Sequence, residues 1–493
     1  MPTGDVELTI LDGGGATVVV PSSSVQVVIG CSSAGTAAQV VASRNANTLA
    51  TAVGYGPAVD QAAMAIAAGG TALFLKATTS TPGVASAVVA FATGTSVVTA
   101  SGAPHDAYLV KFLVVNGGTR GTTGITFKIS LDAGRTYGPI IALGTAVSYA
   151  IVGTNLTLNF AAGTMVAGEF VTFGCTEPLC SDANVQACLV ALQASPYAVT
   201  GWGSMRIVGP RNGASAASIQ GYLDTMVVGK TFPRAIIEVR DNALPSAYGG
   251  AGETDATWAA AVALDYSAVS AKRICAVAGN YNMNSMYPVA AAGTPRMRRN
   301  LAFALACRQV AFGGQIRGGP QTHAGRVSDG ALAQIIIDPT LDPADGFNYH
   351  DEFNAPALDV ARFTSARKRS GKPGFFIVNP KLMSPGGSVF TILPYGNVMD
   401  VGCSLLYQVG TENINSDIQL NTNGTIHELA AQAIESVARG ALRDNMLAKS
   451  MISDFTYTID RTNNVKTTSI VNFAATLYAR GYVLQIDGTV GFG

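Results

Sequence analysis

The chain has 493 residues, 48% of them apolar and only 13% charged, with 31 basic side chains against 31 acidic ones. A charged share about half the usual one leaves weak self-repulsion and no basic field for nucleic acid, and it favours association. Seven irregularly spaced cysteines read as buried, reduced thiols of a cytoplasmic product; no basic-then-apolar leader opens the sequence, and no apolar run reaches the ~18 residues of a membrane span.

Near the start Val6, Leu8 and Ile10 alternate with Glu7 and Thr9, and Gly13, Gly14 and Gly15 form a joint with little backbone preference. Residues 25–29 read as a buried strand and 31–36 as a loop of small residues. The turn Gly54-Tyr55-Gly56-Pro57 leads into a helix over 58–68, closed by Gly69-Gly70, and 71–76 is the next strand. Strand, helix and strand in that order predict a mostly parallel, covered sheet.

From about residue 80 to 176 the texture changes. Short alternating runs at 109–115, 125–131, 148–152 and 170–173 are separated by turns such as Asp132-Ala133-Gly134. This predicts a β-sandwich or small barrel inserted into the α/β unit. The alternation of strand and helix then resumes, with helices at 184–193, 214–227 and 258–268 and strands at 206–208, 235–239 and 274–278. A long helix is expected over 298–312, with Leu301, Leu305 and Cys307 among its buried positions. Residues 338–354 read as a polar loop, 357–368 as a helix and 374–378 as a strand.

The main helix of the last block is expected over about 425–447. Its buried stripe would be Ile426, Leu429, Ala430, Ala433, Ile434, Val437, Ala441 and Leu442; Glu428, Glu435, Arg439, Arg443 and Asp444 fall mostly off it. Thr425 with Glu428 fits a capping box. Phe455, Tyr457 and Ile459 then alternate with polar residues, a polar turn covers 461–468, and the alternation returns through Val471, Phe473, Ala475, Leu477 and Ala479. At Gly481 the phase slips by one, to Tyr482, Leu484 and Ile486, so Gly481 reads as a bulge or hinge before a strand-like arm. For both chain ends two readings stay open: pairing with a neighbouring copy, or an edge strand or frayed tail of the chain itself.

No motif completes a catalytic, cofactor or metal site. Gly229-Lys230-Thr231 lacks the phosphate-loop glycine five places earlier, where Asp224 stands. Ser32 and Ser33 each lack one glycine of a nucleophile elbow. His105, His323, His350 and His427 stand in separate segments, and His350-Asp351-Glu352 is the nearest approach to an acid–base cluster. Cys175, Cys180 and Cys188 lack zinc-site pairing, and Asp338, Asp342 and Asp345 do not match a calcium loop.

The order of the pieces resembles the tail sheath proteins of contractile-tailed bacteriophages and related contractile injection systems. The resemblance is carried by residues 25–35 with Gly54-Tyr55-Gly56-Pro57 and 65–73, by the central α/β region with a β insertion before it, and by the C-terminal helix followed by 455–459 and the last strand. It implies an α/β multidomain fold: a mixed sheet with flanking helices, an inserted all-β domain, and strand-like N- and C-terminal arms. The parts would be an N-terminal arm at 1–20, the first part of the α/β core at 21–79, an outer β domain at 80–178, the central sheath domain at 179–378, an inner domain facing the tube at 379–480, and a C-terminal arm at 481–493.

The resemblance further implies a structural, non-enzymatic subunit that stacks as hexameric rings around a tail tube and contracts to drive the tube through a cell envelope. Val6, Leu8, Ile10, Tyr482, Leu484 and Ile486 would be the intersubunit arms, with Gly13, Gly14, Gly15 and Gly481 as hinges and Glu428, Glu435, Arg439 and Arg443 facing the tube. The implied partners are further copies, the tail tube protein, and baseplate and tail terminator proteins, with no direct nucleic acid and no membrane insertion. The implied place is the virion tail, assembled in the host bacterial cytoplasm. Two other readings compete: a hydrolase-like enzyme on a doubly wound fold, with the loop around His350 as its site, and another self-assembling virion protein of capsid or tube type.

Overall fold

The computed structural model describes residues 25–199, 204–241, 253, 255–312, 356–369, 372–378 and 380–481. The expected arm and hinge residues Val6, Leu8, Ile10, Gly13, Gly14, Gly15, Tyr482, Leu484 and Ile486 lie outside the described residues, as do His323, His350 and the loop over 338–354.

The chain enters through β1 (Val25–Gly30), β2 (Val40–Ser43), α1 (Ala46–Val53), α2 (Pro57–Ala67) and β3 (Thr71–Lys76). A purely β stretch follows: β4 (Val98–Ser101), β5 (Leu109–Asn116), β6 (Gly118–Thr119), β7 (Thr126–Ser130), β8 (Ile141–Ala142), β9 (Ser148–Ile151), β10 (Leu156–Phe160), β11 (Thr164–Met165) and β12 (Phe170–Gly174). Then come α3 (Asp182–Gln193), β13 (Met205–Arg211), α4 (Gly213–Val228), β14 (Ala235–Val239), α5 (Asp255–Asp265) and β15 (Ile274–Val277).

The central sheet runs β15-β14-β13-β1-β3-β2. All its pairings are parallel except the edge strand β2, which lies antiparallel to β3. Strands such as Ala-Ile-Ile-Glu-Val and Ile-Cys-Ala-Val are buried along their whole length because both faces are covered. Val27 and Ile29 of β1 face a core with Leu189 of α3, Leu223 of α4 and Trp258 of α5. Val28 faces the opposite core, with Leu49 of α1 and Val59 of α2.

The β stretch has a core of its own, in which Phe112 packs against Phe91, Phe127 and Phe160. Val289, Ala291, Ala292 and Met297, in and beside the hairpin of β16 (Asn280–Asn284) and β17 (Arg296–Asn300), join that core. β17 corrects an expectation: residues 298–300 are strand, and only α6 (Ala302–Phe312) is helical. The run Arg-Met-Arg-Arg-Asn has strand alternation, Met297 inward, which its charges concealed. The helix expected over 357–368 likewise shrinks to α7 (Pro356–Val360); β18 (Ser365–Arg369) follows and pairs with β19 (Lys372–Val378).

The C-terminal block holds α8 (Leu393–Asn413), which the sequence reading missed, α9 (Glu428–Leu442) with a π turn at Arg443–Leu447, β20 (Ile452–Ile459), the short α10 (Val465–Thr468) and β21 (Phe473–Ala479). β20 and β21 form an antiparallel hairpin, and Tyr457, Ile459 and Leu477 enter the core with Ile426, Leu442 and Met446. Gly396 in α8 is required by packing: a Cβ there would strike the guanidinium of Arg234. Past that opening Arg234 reaches Asp400 at 2.6 Å, and Arg273 meets the same carboxylate at 3.0 Å.

Candidate assembly site

Helix α9 and β20 meet through side chains that sequence reasoning had placed elsewhere. The buried face of α9 is Ala431, Glu435, Ala438 and Leu442. The expected stripe is met in part: Ile426, Ala430, Ile434, Ala441 and Leu442 lie in or against the core, but Leu429 is 66% exposed and Val437 51%, and Ala433 is exposed too. The cause is Glu435, only 5% exposed. Its carboxylate is drawn inward to accept the N–H of Ile459 at 2.8 Å and the Arg461 guanidinium at 2.8 Å. These bonds hold the carboxyl below its usual range, with Arg461 the larger influence. The capping box does not form. His427 is the N-cap, accepting the N–H of Leu429 at 3.3 Å, while Thr425 bridges to Asn464.

The other expected tube-facing residues are placed as follows. Arg439 donates Nε and Nη2 to the carbonyl of Tyr457, at 3.1 and 2.7 Å, and lies 3.4 Å from Glu435. Glu428 is exposed and ion-paired to Arg461 at 2.6 Å, which lowers its carboxyl. Arg443 is exposed and bonds only locally, to Asp444 at 3.0 Å.

The geometry of β20 follows from these contacts. Tyr457 and Ile459 turn their outward main-chain groups to Arg439, Glu435 and Arg461, and the N–H of Phe455 is held by Asp454 at 2.8 Å. Side chains thus cover the outer edge of β20 from the Tyr457 carbonyl to Ile459. β21 differs. In an antiparallel pair every second residue directs its N–H and C=O away from the partner, and the pairs Tyr457↔Ala475 and Phe455↔Leu477 assign that role to Ala475 and Leu477. Among the described residues no strand lies beyond β21. Gly481, two residues past its end, is exposed, with open space where a Cβ would stand.

Buried ion pairs lie beside the central sheet. Arg299 of β17 reaches Asp60 of α2 at 2.6 Å and Asp106, between β4 and β5, at 2.5 Å. Burial pushes the Asp60 carboxyl up, against the pull of Arg299. Arg206 pairs with Glu238 at 2.5 Å. The serines suggested by the sequence hold loops: Ser32 donates to Ala34 O at 3.1 Å, and Ser33 accepts the N–H of Tyr55 at 2.8 Å. Gly229-Lys230-Thr231 ends α4, with Lys230 in the left-handed region. Among the described residues no group of three metal-binding side chains converges.

No protein-family model matches the sequence, and no curated protein matches it. The chain is similar to solved structures. One is the sheath tail protein of Desulfitobacterium hafniense, at 10% identity and a TM-score of 0.44, covering 93% of each chain. Another is the sheath tail protein of Listeria innocua, at 11% identity and 0.41, covering 90% of each. Two of these likenesses are thus to sheath tail proteins. A third is to a chain of the anti-feeding prophage baseplate, at 10% identity and 0.36, covering 65% of this chain and 76% of that one. The likenesses are distant; Arg461, which gathers Glu428 and Glu435, was legible in none of the motifs.

Proposed function

We propose that the chain is a structural tail sheath subunit, polymerising as stacked hexameric rings around a tail tube and contracting to drive that tube through a cell envelope. The observation that carries this reading is the C-terminal hairpin, whose β20 edge is occupied by side chains while the β21 edge has no strand beyond it among the described residues. An open edge beside a glycine hinge suits strand addition between copies, which joins subunits through main-chain bonds. The arms 1–20 and 482–493 supply the added strands. The β stretch over 80–178 is the outward part, and the exposed face of α9, with Glu428, Arg439 and Arg443 beside Leu429 and Val437, meets the tube. Glu435, being buried, serves the hairpin instead.

The test is assembly. Purified protein examined by negative stain is expected to form tubular polymers. Deleting residues 482–493 is expected to leave a soluble subunit of unchanged melting temperature that forms none. Full-length protein that stays monomeric at high concentration and physiological salt, or a truncated chain that still builds normal tubes, overturns the reading.

A further inference from the structure

The central sheet ends differently on its two sides. Beyond β15 the chain covers its own edge: Thr364 donates its N–H to Ala276 and accepts that of Ala278, both at 2.9 Å, and Met383 donates to Ile274 at 2.9 Å. Beyond β2 no strand lies among the described residues. Ala77 donates its N–H to Gly30, and Lys76 accepts that of Ala38, so alternate residues of β3, Phe74 and Ala72 among them, turn to β2. These two are paired with Val41 and Ser43. Val40 and Ala42 therefore direct their main-chain groups outward, and among the described residues no main-chain partner meets them. The strand also lacks the usual guards of an exposed edge. The run Val-Val-Ala-Ser holds no charge and no proline, and its pairing with β3 has no bulge. We propose that residues 16–20 of the same chain lie along β2 as a seventh strand of the central sheet.

The occupant follows from sequence and reach. Ala16-Thr17-Val18-Val19-Val20 is uncharged and rich in β-branched residues, and Pro21 stops it. Only Pro21, Ser22, Ser23 and Ser24 separate it from Val25, the first residue of β1. A strand beyond β2 stands three places from β1, ~14 Å away at the usual strand spacing. The chain from Val20 to Val25 spans up to ~17 Å when extended. Because the segment ends where β1 begins, it runs antiparallel to β1 and β3 and parallel to β2. Val40 already packs partly against one core and Val41 against the other, so an added strand continues both layers. Gly13, Gly14 and Gly15 then fall at the rim of the sheet, and residues 1–12 are left as the projecting arm. A pull on that arm is borne by main-chain bonds to β2 rather than by the linker alone.

The full chain carrying photoreactive p-benzoylphenylalanine in place of Val19 is irradiated, separated on a denaturing gel, digested and analysed by mass spectrometry. The expected result is a cross-link from position 19 to residues 38–43 in the band of a single 50.5 kDa chain. Hydrogen exchange of the unaltered chain is expected to be slow at the Val40 and Ala42 amides. Only alternate N–H groups of an added strand face its neighbour. Of Val18→Pro and Val19→Pro, one is therefore expected to speed that exchange by ~10-fold or more. A cross-link to 38–43 found only in the band of two joined chains assigns the edge to another copy and overturns the proposal. A cross-link to β20 or β21 in any band, or rapid exchange at Val40 and Ala42 in the unaltered chain, overturns it too. None of these readouts requires a tube, so they stand or fall separately from the sheath reading.

Discussion

Glu435 of α9 accepts the main-chain N–H of Ile459 at 2.8 Å, so that a helix side chain takes the position an adjacent strand would occupy beside β20. Arg439, one helical turn on, does the same for the carbonyl of Tyr457. The two residues close one edge of the hairpin.

Glu435→Gln is expected to destabilise the protein by ~1–3 kcal/mol at pH 7, since a charged acceptor with two donors is replaced by a neutral one. The pH dependence has a definite sign. The carboxyl is depressed in the fold, so its contribution is complete above the unfolded value and lost as pH falls through the folded one. Chemical denaturation of both proteins should show the gap at pH 7 shrinking as the pH falls below the usual glutamate range. A gap that stays constant with pH would contradict the role of charge.

Arg439→Ala uncovers the carbonyl of Tyr457 without touching β21. The expected outcome is a lower melting temperature together with increased light scattering, because the vacated β20 edge becomes available for irregular pairing. Loss of stability with no change in scattering would mean that Arg439 acts only as an internal brace.

Arg299→Met strands the carboxylates of Asp60 and Asp106 in the interior. A loss of ~3–5 kcal/mol is expected, as for other broken buried ion pairs. Combining it with Asp60→Asn and Asp106→Asn should recover most of that loss. Denaturant titration of the single and triple variants decides the matter, and a triple variant no better than the single one would refute the account.

Arg443→Glu addresses the exposed face of α9. The side chain bonds only to Asp444, so the melting temperature should stay within about a degree of the parent. Assembly of sheathed tubes from subunit and tube protein should weaken, and more so at low salt. An unchanged yield of sheathed tubes counts against the contact.

Much of the central sheet was legible because its strands are short apolar runs bounded by small or polar residues, as in Val25–Gly30 between Ser24 and Cys31 and Ala235–Val239 between Arg234 and Arg240. α8 was not. Its 21 residues include Pro394, Gly396, Asn397, Asp400 and Gly402, which read as loop, yet Asp400 and Asn397 are buried and bonded by Arg234, Arg273 and Ser204. Only the tertiary partners make that sequence a helix. The burial of Glu435 has the same origin: periodicity ranks Leu429 above Glu435, and the bond from the N–H of Ile459 to the Glu435 carboxylate reverses the order. The hairpin itself was readable from alternation alone, but which of its edges is covered was not, because that depends on Glu435 and Arg439 of α9 together with Arg461 of the hairpin's own turn.

Among the described residues the β20–β21 hairpin has unequal edges: side chains lie along β20, and no strand lies beyond β21. A hairpin open on both sides could accept two strands, and a lattice linked in that way branches and gels. With one side occupied from within, strand addition on the proposed reading is confined to the β21 side, so the hairpin of one copy links to a single neighbouring strand.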